Sequence, residues 1–239
     1  MKEGRYLFFS AVAIAIGIGA AGHFIGDTIY RSKIGMNTAQ AKGLAERKVK
    51  ANLGTWSVRF SVTGKTAEEV PGLYVTAERQ QEELIKELKA NGFEDPEITP
   101  GLIGYSKREY RDDDHNLVDE IHTLSASVEL RTEDVGKIAP ARKKINRLIA
   151  EGIDLSNDSP RYFYTKLNEI KPAMLKEAAE NARIAAAEFA ENAKVKVGKI
   201  RTATQGAFFI EDDGQSGGDT RSVDKNVRVV TTVDFFLID

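Results

Sequence analysis

From Tyr6 to Gly26 the chain carries no formally charged residue, and Leu7 to Ile25 is built mostly of Leu, Phe, Ala, Ile, Val and Gly. This stretch restricts the fold more than any other feature. About 20 apolar residues rising roughly 1.5 Å each cover the hydrocarbon core of a bilayer. No polar face interrupts the run to suit it to a soluble core. A cleaved signal peptide needs an apolar core of only about 7–15 residues with a small-x-small site after it. Here the run is longer, and Ala21-Gly22 leads into His23-Phe24-Ile25. The stretch therefore predicts a retained single-pass anchor that meets the membrane through residues 6–26, with cleavage near Ala20–Gly22 as the rival reading. Lys2 and Arg5 precede the span, and Arg31 and Lys33, offset by Asp27, follow it. The positive-inside count is thus nearly balanced. A short tail ahead of a first apolar segment is most simply read as cytoplasmic. That reading puts the anchor in the inner (cytoplasmic) membrane and residues 34–239 on its periplasmic, extracytoplasmic side.

Behind the anchor, residues 1–33, the remainder at 34–239 reads as one soluble α+β domain. The formal net charge is −2. Residues 1–33 hold two more basic than acidic side chains, so the remainder is slightly acidic. Without a basic run there is no electrostatic case for nucleic acid, and none is expected as a partner. The absence of cysteine excludes disulfides, thiolate metal sites, thiol catalysis and lipidation through an N-terminal Cys.

Residues 34–41 read as a short linker entering a first strand. In Thr55–Thr63, Trp56, Val58, Phe60 and Val62 alternate with polar residues, the pattern of a strand with one buried face. The next helix starts on a capping box of Thr66 and Glu69. It buries Val70, Leu73, Tyr74, Ala77, Leu84 and Leu88, and stops at Asn91-Gly92. Strands near 97–110 and 119–131 join through Arg111–Asn116, and the second turns Leu124, Ala126, Val128 and Leu130 inward. Thr132 caps a helix with the stripe Val135, Ile138, Ala139, Ile145, Leu148 and Ile149, ended by Glu151-Gly152.

Short extended runs at 153–155 and 161–167 precede a long helix over 168–193. Its stripe is Met174, Ala178, Ala182, Ala185, Phe189 and Ala193, and Phe189, like Phe60, is expected in the core. Strands near 197–211 and 223–238 flank a Gly/Ser/Asp loop at 213–219, and the apolar run Val227–Ile238 suits a central strand. The order after the anchor is β, α, β, β, α, short β, α, β, β. Single helices between hairpins argue for antiparallel or mixed sheets with helices packed on them, and against a doubly wound nucleotide fold.

Four motifs imitate functional sites. Gly64-Lys65-Thr66 sits where a phosphate loop would, but the required glycine five residues earlier is Arg59, inside the strand; a capped turn is the better reading. Asp112, Asp114 and Asn116 copy the first ligands of a calcium loop. Leu117 replaces the turn glycine and Thr123 the bidentate Glu, so a solvated hairpin tip is expected. Glu211-Asp212-Asp213-Gly214 has the same explanation. Arg161-Tyr162-Phe163-Tyr164 resembles a base-stacking platform, yet the other basic residues are not expected to cluster around it, and a strand packing its aromatics is expected. Of the histidines, His23 lies in the anchor and His115 at a loop tip. His122 lies near Glu120 without the serine elbow or HExxH spacing of a hydrolase. No catalytic, cofactor-binding or metal-ligating residue is assigned, no cofactor is expected, and a non-enzymatic role follows.

Three segments resemble the SIMPL domain family of bacterial envelope proteins, whose function is unknown. They are the opening run Lys42-Gly43-Leu44-Ala45-Glu46-Arg47-Lys48-Val49-Lys50-Ala51; the helix run Lys171-Pro172-Ala173-Met174 with Glu177-Ala178, Asn181-Ala182-Arg183 and Ala186-Ala187; and the closing run Val227 to Phe235. The likeness spans 40–238. It is nearest the branch with an uncleaved anchor, where Phe24-Ile25-Gly26-Asp27 also fits. Many relatives carry Pro-Asp after the opening strand, where this chain reads Ala51-Asn52-Leu53-Gly54. The resemblance implies an envelope location, ring assembly in some relatives and loose links to oxidative stress; it implies no substrate. Open sheet edges must be blunted, covered or paired. The expectation is therefore a membrane-anchored protein working through self-association as a homo-oligomer or through partner binding. The alternatives are a module for a small envelope ligand, held between helix 168–193 and the sheet, and an enzyme of unrecognised type.

Overall fold

A computed structural model describes residues 2–33, 37–214 and 220–238. In chain order its elements are α1 (Lys2–Lys33), β1 (Thr38–Lys50), β2 (Leu53–Gly64), α2 (Val70–Ala90), β3 (Ile98–Pro100), β4 (Gly104–Arg111), β5 (Leu117–Thr132), α3 (Ile138–Ile145), α4 (Arg147–Ala150), β6 (Asp154–Asn157), β7 (Arg161–Phe163), α5 (Leu167–Asn192), β8 (Lys196–Asp212) and β9 (Asp224–Ile238). The chain is α+β, with helices set against antiparallel sheets, as the placing of single helices between hairpins predicts. Strand β1 already begins at Thr38, so the linker expected through Ala41 is shorter. Residues 34–36 of that linker, and 215–219 of the Gly/Ser/Asp loop, lie outside the described residues.

Helix α1 holds one segment, Val12–Tyr30, long and apolar enough to cross a membrane, with mean hydropathy 1.5 and none of it buried in the protein. A helix apolar on all sides and uncovered by protein fits a membrane segment such as a signal anchor.

Two compact units divide the chain. One takes Met1–Ala45, Pro172–Phe208 and Val229–Asp239; the other takes Glu46–Lys171 and Phe209–Arg228. The strands of the first unit belong to a sheet in the order β1-β9-β8. Strand β9 is central, as its two-sided apolar run predicts. Helix α5 buries Met174, Ala178, Ala182, Ala186 and Ala190. Ala182 and Ala186 join Ala41, Val233 and Phe235 in this unit's core. The stripe departs from the expected one after Ala182. Phe189 is 65% exposed and Ala193 is exposed too; Ala190 takes the place given to Phe189, and Ala186 is buried beside the half-buried Ala185, which also packs on this core. A step of four overshoots the 3.6-residue turn, so the stripe winds slowly round the helix, as contact with twisted strands requires. Alanine is needed because the backbones touch. A Cβ on Gly43 of β1 would run into the Ala178 carbonyl oxygen and the Ala182 nitrogen of α5. Asn181 Nδ2 donates to the Leu44 carbonyl at 2.8 Å beside that contact.

In the second unit β2 and β5 pair antiparallel along their length, from Gly54↔Thr132 to Gly64↔His122. The expected alternation holds. Trp56, Val58 and Phe60 of β2 and Leu124, Ala126, Val128 and Leu130 of β5 are buried with Ala77, Leu84 and Leu88 of α2 and Ile138, Ala141 and Ile145 of α3. Helices α2 and α3 pack on this face, and the opposite face carries Thr55, Ser57, Arg59 and Ser61.

Several expectations for this unit need correction. Tyr74, Ala139 and Ile149 are exposed rather than in their stripes, and Ala141 takes the inward position on α3. The strand expected at 97–110 is two, β3 and β4, both paired with β5. The capping box does not form. The Thr66 side chain makes no cap bond, and the Glu69 carboxylate accepts the Lys65 N–H at 3.1 Å instead. That carboxylate also fills the space a Cβ on Gly64 would enter, so an internal anion occupies the phosphate-loop look-alike. The β1–β2 turn, which lacks the Pro-Asp of many relatives, is held by Asn52. Its amide donates to Thr165 Oγ1 and accepts the Thr165 N–H, both at 2.8 Å.

Candidate functional site

The register of the β4–β5 hairpin brings together residues that sequence alone leaves apart. Lys107 lies opposite His122, Glu109 opposite Glu120, and Tyr105 opposite Leu124. Opposed residues in antiparallel strands share a face, so Tyr105, Lys107, Glu109, Glu120 and His122 form one row. The Tyr105 hydroxyl and His122 Nδ1 are 2.8 Å apart, and His122 Nε2 lies 3.0 Å from Glu120 Oε1. Lys107 Nζ reaches Glu120 at 3.5 Å and Glu109 at 2.7 Å, and Arg111 closes on Glu109 at 2.6 Å. His122 is 1% exposed, whereas Tyr105 is 53% exposed.

Charge fixes the direction of the bond between His122 and Glu120. The hydrogen bond from His122, reinforced by Lys107, holds the Glu120 carboxyl below its usual range. An ionised carboxylate only accepts, so Nε2 donates to Glu120, and Nδ1 faces the Tyr105 hydroxyl. This carboxylate–imidazole–hydroxyl line has the order of a proton relay with a phenol at its open end.

The same row stiffens an arm. Strand β2 ends its pairing at His122, so among the described residues β5 pairs only with β4 beyond that point. Every residue from Gly104 to Asp119 is exposed, among them Tyr110, Leu117 and Val118. At the tip, Asp112 Oδ1 accepts the Asn116 N–H at 2.8 Å and Oδ2 the Asn116 amide at 3.2 Å, and His115 adopts φ 66°. The calcium-loop look-alike is thus a turn capped from within.

Acid should loosen this arm. Lys107, then Arg111, pull the Glu109 carboxyl from 4.5 down to about 2. A carboxyl lowered by folding stabilises above its unfolded pKa and loses that contribution as pH falls toward the folded one. Amide-exchange protection over Lys107–Arg111, corrected for intrinsic rate, is expected to fall between about pH 4.5 and 2. Unchanged protection across that window would show that the ion pairs do not hold the arm.

One acidic motif departs from its expected place. Asp212, expected in a solvated turn, is buried with Lys225, whose Nζ lies 2.5 Å from Asp212 Oδ1; both side chains have zero exposure. Arg221 N–H donates to Oδ2 at 2.9 Å. Tyr162, from the aromatic run, is buried in β7 as a packing residue, but against expectation Arg131 and Arg221 line one cavity with Arg161, Arg131 being brought there by strand pairing. Among the described residues no group of three His, Asp or Glu side chains could hold a metal ion.

Residues 40–234 match the family model for SIMPL, described as a protein of unknown function (DUF541). No curated protein matches the chain.

Proposed function

Because this chain belongs to the SIMPL family, we propose that it is an anchored envelope protein whose extracytoplasmic part works by associating with further copies of itself through the β4–β5 arm. The observation that carries this reading is the arm. A two-stranded hairpin exposed on both faces is marginal in water unless something packs against it. Here β4 also presents an unpaired edge among the described residues, the template on which a second strand adds. Lys107, Glu109 and Arg111 tie their charges up within the arm, while Tyr110, Leu117 and Val118 offer apolar contact at its far end. A self-complementary edge closes most simply about a two-fold axis.

The absence of cysteine makes a single-cysteine scan clean. Ser106→Cys, Arg108→Cys and Tyr110→Cys lie on the opposite face of β4 from the relay, and each is exposed. Mild oxidation in membranes is expected to give disulfide dimers at the position nearest the axis, where Cα atoms approach within about 7 Å. Lys176→Cys on α5 should give few. A membrane-impermeant maleimide should label Arg108→Cys in intact spheroplasts. Crosslinking no greater than at Lys176, or labelling only after the membrane is opened, would contradict the reading.

A further inference from the structure

On the face of the second unit's sheet opposite α2 and α3, Thr55 pairs with Arg131 of β5 on one side and with Arg161 of β7 on the other. Neighbouring strands lie about 4.8 Å apart. Two guanidinium groups therefore rise from one face with a single threonine between them. A third, Arg221, is held nearby by its backbone: Tyr162 N–H donates to the Thr220 carbonyl at 2.7 Å, and Arg221 N–H donates to Asp212 at 2.9 Å. The three arginines line one cavity of about 770 Å³, with Thr55, Ser57 and Thr99 on its wall. Among the described residues none of these three guanidinium groups has an ion-pair or hydrogen-bond partner, whereas Arg59 is paired with Asp158 at 2.8 Å. Two carboxylates, Glu129 and the Asp158 already paired with Arg59, share the cavity wall with the three arginines.

We propose that this cavity binds an oligoanion, a small ligand bearing two or more phosphate or carboxylate groups. Like charges side by side on a sheet repel, and an anion between them removes that repulsion. The planar guanidinium fork matches carboxylate and phosphate oxygens two at a time. The hydroxyls supply further donors, and the volume lies within the range of small-ligand sites. The chain as a whole is slightly acidic, so this cluster is not one patch of a generally basic surface. The site lies within the second unit, lacks any residue of α5, and does not depend on the association reading. It differs from the helix–sheet pocket expected from sequence. The oligoanion can be a soluble compound or the headgroups of an anionic lipid.

Titrating inorganic triphosphate into the full chain in neutral detergent, followed by calorimetry, tests the site. One-to-one binding that weakens as salt rises is expected. Arg131→Gln and Arg161→Gln should each lower affinity about tenfold, the scale of one charge-assisted hydrogen bond. Lys176→Gln on α5 should leave affinity unchanged. Arg221→Gln, outside the strands, should also weaken binding, and it carries the test should the strand variants melt early. Repeating the titration in phosphatidylcholine nanodiscs with and without phosphatidylglycerol separates the sources. Loss of triphosphate binding in the anionic discs assigns the site to lipid headgroups, and retention assigns it to a soluble oligoanion. No binding to the unmodified chain, or affinity unmoved by these arginine changes, overturns the proposal.

Discussion

Replacing Lys225 by methionine is expected to destabilise the folded chain by about 3–5 kcal/mol, because it strands a buried carboxylate without its counter-charge. Lys225 and Asp212 have fully buried side chains. Burial alone pushes the Asp212 carboxyl up, but the hydrogen bonds from Lys225 and from the Arg221 and Ser222 backbone outweigh it and leave the group below its ordinary value. The native pair therefore stabilises above the unfolded pKa of Asp212 and weakens as pH falls through the folded one. Lys225→Met reverses the sign. The isolated carboxyl is raised, so the deficit is largest near neutral pH and shrinks on acidification. Adding Asp212→Asn keeps an acceptor for the backbone N–H groups, removes the charge and should recover most of the loss. Denaturant melts of the full chain in detergent measure each step. A loss under about 1 kcal/mol for Lys225→Met would mean that water reaches the pair.

Phe60→Ala should cost about 3–5 kcal/mol, whereas Phe189→Ala should stay within about 0.5 kcal/mol. Phe60 is 2% exposed, in the core that β2 and β5 share with α2 and α3. Its truncation removes transfer energy and leaves a cavity that the paired strands cannot close. Phe189 projects from α5 with most of its surface in solvent. The same melts compare them, and equal losses would contradict the face assigned to α5.

How far the sequence can be read follows from how local each signal is. The alternation in β2 and β5 lies within single strands, so the buried sets Trp56, Val58, Phe60 and Leu124, Ala126, Val128, Leu130 are legible without neighbours. The central place of β9 follows from its two-sided apolar run. Helix α5 is different, because residues 185–187 are all alanine and periodicity alone cannot choose between stripes. The choice is made by residues distant in the chain, Ala41, Val233 and Phe235, which Ala186 joins in the core. The relay behaves likewise. Glu120 and His122 stand two apart and visibly share a face, but Tyr105 joins them only through the hairpin register. Asp212 and Lys225 sit among other charged residues, and nothing local marks them for burial. Arg131 and Arg161 meet only because both pair with Thr55, a long-range coincidence of two strand registers.

The membrane-facing part of the reading rests on α1 and the associative part on the β4–β5 arm, and the second makes the sharper demand. Light scattering of the detergent-solubilised full chain, corrected for bound detergent and followed through a dilution series, measures it directly. A protein mass at a whole multiple of the monomer, falling on dilution and lowered by Val118→Lys in the arm, is the expected result. A steady monomer mass at the highest attainable concentration would contradict self-association.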